Sequence, residues 1–280
     1  MYKTLLTDLS DNILTVTINR PDKLNALNRT VIGELGEVVG EIYSNKDIRS
    51  AILTGAGPKA FVAGADITEF QGLSLEEGQA LSKKGSDIFF RIASSPKPIV
   101  AAINGFALGG GCELAMSCHF RLCTPNAKFG QPEVNLGLIP GYGGTQRLTH
   151  LVGKGRAIEI MLTGRMVEAT EAHTMGLVNY IITEQDELLT ETRKLLSIIN
   201  GKAPLAIARI IECANLSVGD GIANSDSWEP DPFGGDEEPA APANGFLREQ
   251  QAFGECFATE DMKEGTAAFL EKRKPRFRGA

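Results

Sequence analysis

NGFALGGGCELAMSCHFRLCTPNAKFGQPEVNLGLIPGYGGTQR, residues 104–147, sets two glycine-dense turns around two glutamates, Glu113 and Glu133. An apolar run, Pro98 to Ala102, precedes Gly109-Gly110-Gly111, and Cys112 to Met116 follows with helix-forming composition and no breaker. The pattern predicts a strand, a tight turn and a helix start. A helix start leaves backbone N–H groups without intrahelical partners, and glycine lets an oxygen approach them closely. The guest expected there is an anion or a developing oxyanion. Helical side chains lean toward the N-terminus, so Glu113 directs its carboxylate back over the turn. Glu133 sits in Gly130-Gln131-Pro132-Glu133, where proline fixes its own φ and restricts Gln131, giving a preset loop. A single glutamate in such a place is more often a solvated charge; rigid glycine and proline context around both points to a shared active site.

Other glycine-rich chemistries do not fit the letters. There is no G-x-x-x-x-G-K-[ST], and neither 109–114 nor 141–146 completes G-x-G-x-x-G. No G-x-S-x-G elbow or H-E-x-x-H pair occurs, and the three histidines, His119, His150 and His173, are scattered. A phosphate loop, a hydrolytic triad and a zinc site therefore lack support, and no metal or other cofactor is expected. A two-carboxylate glycosidase is disfavoured by a single tryptophan and 6% aromatic residues, too few for a sugar-stacking cleft.

The 280 residues suffice for one large domain, or one domain with an appendage. The N-terminus shows no signal or transit pattern and no long apolar segment, so a cytoplasmic protein without a membrane partner is expected. Five cysteines without C-x-x-C spacing (Cys112, Cys118, Cys123, Cys213, Cys256) read as core packing in a reducing compartment. The formal net charge is −7, and nothing favours nucleic-acid binding.

Around the opening stretch, residues 2–7 and 12–18 read as paired strands about Ser10-Asp11-Asn12. Asn28 caps a predicted helix through Val31, Leu35, Val38, Val39 and Ile42. Ile48 to Thr54 is a buried strand, a helix runs over about 76–94, and residues 98–103 form the next strand; this alternation argues an α/β fold. Helices are predicted over 154–163, 168–175, 185–200 and 203–216, with a strand at 177–182 and a last helix beginning at Thr259-Glu260-Asp261. Residues 224–244 interrupt the pattern with six acidic side chains, no basic ones and four prolines, the composition of a loosely ordered loop; without them the net charge is −1. Trp228 and Phe233 are read as its anchors, in preference to covers for an acyl pocket or a subunit contact. Phe246, Gln250, Phe253 and Phe257 continue a helical face, and Glu271 to Arg278 form a basic tail.

NRPDKLNAL (19–27), AFVAGADI (60–67), INGFALGGGCELAM (103–116), FGQPEVNLGLIPGYGGTQRL (129–148) and ATEDMKEGTAAFLEKRKPRF (258–277) together resemble the enoyl-CoA hydratase (crotonase) family over nearly the whole chain. The resemblance implies a ClpP-like spiral of β-β-α repeats in residues 1–200, and a helical oligomerisation region in 201–280 carrying the acidic stretch as an insertion. It further implies a homotrimer, commonly paired into a hexamer. By position, the backbone N–H groups of Ala65 and Gly110 match the family's oxyanion hole, holding the carbonyl oxygen of an acyl-CoA thioester. Glu113 matches the residue that activates water, and Glu133 the one that supplies the Cα proton. Lys23, Leu24, Ala26, Ala63, Ala65, Asp66, Ile67 and Gly110 match the CoA-binding stretches. The acyl pocket is expected from 71–90, 141–144 and 225–257. Thr68 stands where some relatives carry a phosphate-contacting lysine, and the basic tail is expected near the CoA phosphates. The implied activity is reversible hydration of 2-enoyl-CoA in fatty-acid or related acyl-CoA degradation. A Δ3-Δ2 enoyl-CoA isomerase or another crotonase-fold acyl-CoA lyase or hydrolase is the nearest rival, the isomerase less favoured because such members generally lack one of the two glutamates. A non-catalytic CoA-binding or RNA-binding relative would have no need of either.

Overall fold

Residues 2–218, 255–256 and 259–280 are described by a computed structural model of the protein, so residues 224–244, together with Phe246, Gln250, Phe253 and Phe257, lie outside the described residues. The chain forms two compact units, residues 1–200 and 201–280.

The first unit begins with a hairpin, β1 (Leu5–Ser10) and β2 (Ile13–Ile18), paired antiparallel with Ser10 opposite Ile13. The turn is the two-residue Asp11-Asn12, both at positive φ, a geometry these short polar side chains tolerate. Strand β1 therefore starts and ends three residues later than hydrophobic alternation predicts. Helix α1 (Arg29–Ser44) follows as expected, with the Asn28 side chain accepting from the Val31 N–H at 2.9 Å.

From there the spiral implied by the sequence resemblance is visible as a repeated unit. Three successive strand pairs, β3 (Ser50–Gly55) with β4 (Ala60–Val62), β5 (Ile99–Ile103) with β6 (Phe106–Leu108), and β7 (Phe120–Cys123) with β8 (Lys128–Gly130), each send their first strand to one sheet and their second to another. With β9 (Val167–Glu168) and β10 (Tyr180–Ile181), the larger sheet has the order β1-β2-β3-β5-β7-β10 and the smaller one β4-β6-β8-β9. Helix α2 (Leu75–Ala93) links the first pair to the second, and α3 (Gly110–Ser117) the second to the third. A capping box starts α2: Ser74 and Glu77 satisfy each other's backbone N–H groups.

The central strands of the larger sheet are parallel and covered on both faces, so their sequences are apolar without alternation. Ala51, Leu53, Ile99, Ala101 and Ile103 face the core shared with Leu35, Val38 and Ile42 of α1. Ile52, Val100, Ala102 and Leu122 face the opposite core, closed by Leu188 and Leu196 of a later helix (Leu188–Asn200). After β8 the chain makes α4 (Gly144–Val152), α5 (Lys154–Thr163) and α6 (Ala169–Thr174), the last two close to their predicted spans. In the second unit, a helix spans Pro204–Val218 and another Glu260–Leu270. The tail after the latter folds back on it: Arg273 pairs with Glu264 at 2.6 Å, and the N–H groups of Arg278 and Gly279 donate to Asp261 at 2.6 and 2.9 Å.

Candidate active site

The smaller sheet positions the site. Strands β4, β6 and β8 run parallel, and their carboxyl ends open into Ala63–Ile67, Gly109–Gly111 and Gln131–Glu133. The pairing of Leu108 with Gly130 sets the second and third segments side by side, and the Gly109 N–H donates to the Gly130 carbonyl at 2.9 Å. Carboxyl ends of adjacent parallel strands are where open α/β sheets bind ligands. Here they border a cavity of about 850 Å³. Its wall includes Ala63, Ala65 and Ile67 from the first segment, Gly110 and Glu113 from the second, and Glu133 from the third.

Each glycine of the triple turn has its own steric reason. Gly109 has φ 49°, and a Cβ there would lie 2.6 Å from Glu133 Oε1, in the space the carboxylate occupies. At Gly111 a Cβ would lie 2.0 Å from the Val62 carbonyl oxygen, because α3 crosses tightly over β4. Gly110 is the first helical residue of α3. Among the described residues, neither its N–H nor that of Ala65 has a hydrogen-bond acceptor, although both residues line the cavity. The bonds that tie this region together run through its neighbours instead: Leu27 N–H to Gly64 O at 2.9 Å and Asp66 N–H to Leu27 O at 2.7 Å. Two N–H groups are thus left for a guest oxygen.

Glu113 is one turn into α3, closes that helix's first bond by donating its N–H to Gly109 O at 2.9 Å, and is 1% exposed. Its Oε1 accepts from the N–H groups of Tyr142 and Gly144, each at 2.7 Å. No hydrogen bond from a described residue reaches Oε2, the oxygen left for a bound molecule. Burial pushes the Glu113 carboxyl up to about 7; the charge of Glu133 adds to the rise, while the two N–H donors and Arg147 act against it. Glu133 follows Pro132, the first residue of a 3₁₀ turn (Pro132–Leu136) closed by Gly137 at φ 69°. The stretch expected to be a loop is thus a single helical turn, for which proline at the first position is pre-set. Burial also raises the Glu133 carboxyl. With its amide nitrogen turned inward, buried Gln131 donates to both Glu133 oxygens at 3.1 Å.

Of the remaining residues expected to hold CoA, Lys23, Leu24, Ala26 and Asp66 do not line the cavity. They lie in or against the 19–27 loop that runs beside Ala63–Asp66, held by Ala63 N–H to Leu24 O at 3.1 Å and by the Arg20–Asp66 ion pair at 3.0 Å. The Asp66 carboxyl is lowered by its bonds to Thr68 and Arg20. Helix α2 and its capping residue Ser74 supply much of the rest of the wall, with Gln79 and Ser82 from the helix itself, and Tyr142 completes it. The Tyr142 ring packs edge-on against Phe89 at 5.5 Å and lies over Gly85, where a Cβ would come within 2.4 Å of a ring carbon. Sequence reasoning placed 71–90, 141–144 and 225–257 around the acyl pocket, the last lying outside the described residues except for 255–256, but missed the Tyr142 and Gly144 N–H clamp on Glu113. The only signal for it was the second glycine cluster, Gly141 to Gly144. Among the described residues, no group of three or more His, Cys, Asp or Glu side chains is placed to hold a metal ion, and no helix is long and apolar enough to cross a membrane.

Two unpaired N–H groups lining one cleft with a buried and a half-buried carboxyl define a protein suited to stabilising an enolate-like oxyanion while moving protons beside it. Residues 8–221 match the family described as enoyl-CoA hydratase/isomerase, and the chain belongs to that family. It is 43% identical over 262 residues to the short-chain-enoyl-CoA hydratase of Clostridium acetobutylicum, covering 94% of this chain and 92% of that protein. Identity to the crotonyl-CoA hydratase of Syntrophomonas wolfei is 42% over 276 residues, 99% of this chain and 98% of the relative. The crystal structure of an enoyl-CoA hydratase from Bacillus anthracis superposes with a TM-score of 0.87 at 32% identity, covering 99% of this chain and 100% of that one.

Proposed function

We propose that the protein is an enoyl-CoA hydratase, adding water reversibly across the double bond of a 2-enoyl-CoA thioester to give the 3-hydroxyacyl-CoA. The observation that carries this reading is the convergence of Glu113, Glu133, Ala65 and Gly110 on one cavity. The thioester oxygen accepts from the Ala65 and Gly110 N–H groups. Glu113, through its unbonded Oε2, takes a proton from water as the water oxygen bonds to Cβ. The double-bond electrons move toward the thioester oxygen, and Cα takes a proton from Glu133. Dehydration runs the same steps backward. Fixed N–H dipoles act most strongly on the charge that appears only during reaction, which favours the transition state over the substrate. No cofactor takes part in this scheme, CoA being part of the substrate.

The carboxyls hold one proton between them in the active form, one ionised to activate water and the other protonated to supply Cα. Burial raises both carboxyls and the charge of Glu133 raises Glu113 further, which supports one proton being retained by the pair as a unit. We further propose a cytoplasmic homotrimer, paired into a hexamer, working in fatty-acid or related acyl-CoA degradation.

The test is loss of the conjugated-thioester absorbance when the purified protein meets crotonyl-CoA, with Glu113→Gln and Glu133→Gln in parallel. Hydration by the parent, reduced about 10²–10⁴-fold in each variant, is expected. No hydration despite CoA binding would move the assignment to an isomerase, a longer or branched acyl substrate or a binding role, and a double-bond shift from a 3-enoyl substrate would select the isomerase.

A further inference from the structure

The turn that clamps Glu113 is itself held from outside, and the group that holds it is a buried cation. Arg147 of α4 is 2% exposed, and its Nη1 donates to the Tyr142 carbonyl at 2.9 Å. The same residue's N–H holds Glu113 Oε1 at 2.7 Å, so a single peptide residue connects guanidinium and carboxylate. The guanidinium stacks on the Phe90 ring of α2, with Cζ 4.9 Å from the ring centre. Gly143 makes room for it: a Cβ there would lie 2.5 Å from Nη1. The Gly141 carbonyl accepts from Ser82 and Ser86 of α2, Ser86 at 3.3 Å. The carbonyl side of the turn is fixed by α2 and α4, and its N–H side faces the glutamate.

We propose that Arg147 is a positioning residue for Glu113, its guanidinium locking the Tyr142–Gly144 turn so that Oε1 is held and only Oε2 meets the substrate. Arg147 acts through the turn and touches no substrate. Its charge has a second consequence. The charged groups acting on Glu113 are Glu133 beyond β8 and Arg147 on α4; the Tyr142 phenol in the connecting loop and the Cys112 thiol beside it on α3 face it and are raised by its charge, while Lys83 of α2 shares the cavity wall. Burial and Glu133 oppose ionisation of Glu113; the Gly144 and Tyr142 N–H groups favour it, and Arg147 adds a smaller push in the same direction besides holding the turn that carries those donors.

This inference rests on the hydratase reading for its kinetic arm alone. The experiment compares the parent with Arg147→Met and Arg147→Lys by ¹³C titration of the Glu113 side chain, assigned with Glu113→Gln, and by the pH profile of crotonyl-CoA hydration. In Arg147→Met the Glu113 midpoint should rise by about one unit, and hydration at pH 6 should fall about tenfold with its acid limb displaced equally. Arg147→Lys keeps the charge but replaces a planar fork with a point donor, so its acid limb should stay while kcat falls at unchanged KM. A folded Arg147→Met protein with the parent's midpoint and acid limb would overturn the proposal. If Arg147→Met does not fold, the lysine variant decides, parent-like kcat overturning it. A parent that hydrates nothing, with the midpoint still displaced in Arg147→Met, would sink the hydratase reading and leave this one standing.

Discussion

Glu113→Gln should stabilise the protein at alkaline pH while disabling it. Glutamine keeps an oxygen to accept from Tyr142 and Gly144, and removes a charge that the fold holds in a nearly dry place. The carboxyl is raised from 4.5 to about 7 on folding, so between those values the native state binds more protons than the unfolded chain. Stability from this group is therefore present below the unfolded value and lost as pH rises through the folded one. At 1.36 kcal/mol per unit the loss is about 3 kcal/mol at pH 8 and under about 1 kcal/mol at pH 5. Urea unfolding of parent and variant at both pH values, at one protein concentration, measures the difference. The variant's advantage should grow by about 2–3 kcal/mol from pH 5 to pH 8. A pH-independent difference, or a variant less stable by more at pH 8, would refute the claim that burial dominates the Glu113 environment.

Gly109→Ala should cost about 100-fold in hydration with far-UV circular dichroism unchanged, because the new methyl meets Glu133 Oε1 on a backbone at positive φ. Glu133→Gln should abolish exchange of the Cα proton of a saturated acyl-CoA with deuterated solvent, followed by NMR. Cys112, Cys118 and Cys123, buried and with thiols pushed up to about 12, should resist alkylation at pH 8 until the protein is unfolded, as counted by mass spectrometry. Asn28→Ala should destabilise the first unit by about 1 kcal/mol in thermal melts through loss of the α1 cap.

What was legible in the letters was whatever local chemistry decides. Asn28, the glycine triplet and Pro132 each impose a backbone conformation on their own neighbours, and the structure places a helix cap, a turn and a rigid segment there. Both glutamates were found because such context surrounds them. The division of each strand pair between two sheets was not legible, since apolar strands buried on both faces give no alternation to read. The clamp on Glu113 was hidden for a different reason. Its donors are backbone N–H groups 29 and 31 residues away, and every residue except proline carries one. Arg147 was passed over because an arginine in an amphipathic helix reads as surface charge until the fold buries it.

Tyr142 divides its labour between its two halves. Its main chain restrains the glutamate, while its ring forms part of the cavity wall and rests on Gly85. Natural variation at this one codon can therefore resize the chamber for longer or bulkier guests without disturbing the restraint, since any replacement but proline brings the same N–H. Reaction and preference are inherited through different atoms of one residue, which lets a lineage drift in what it accepts while conserving what it does.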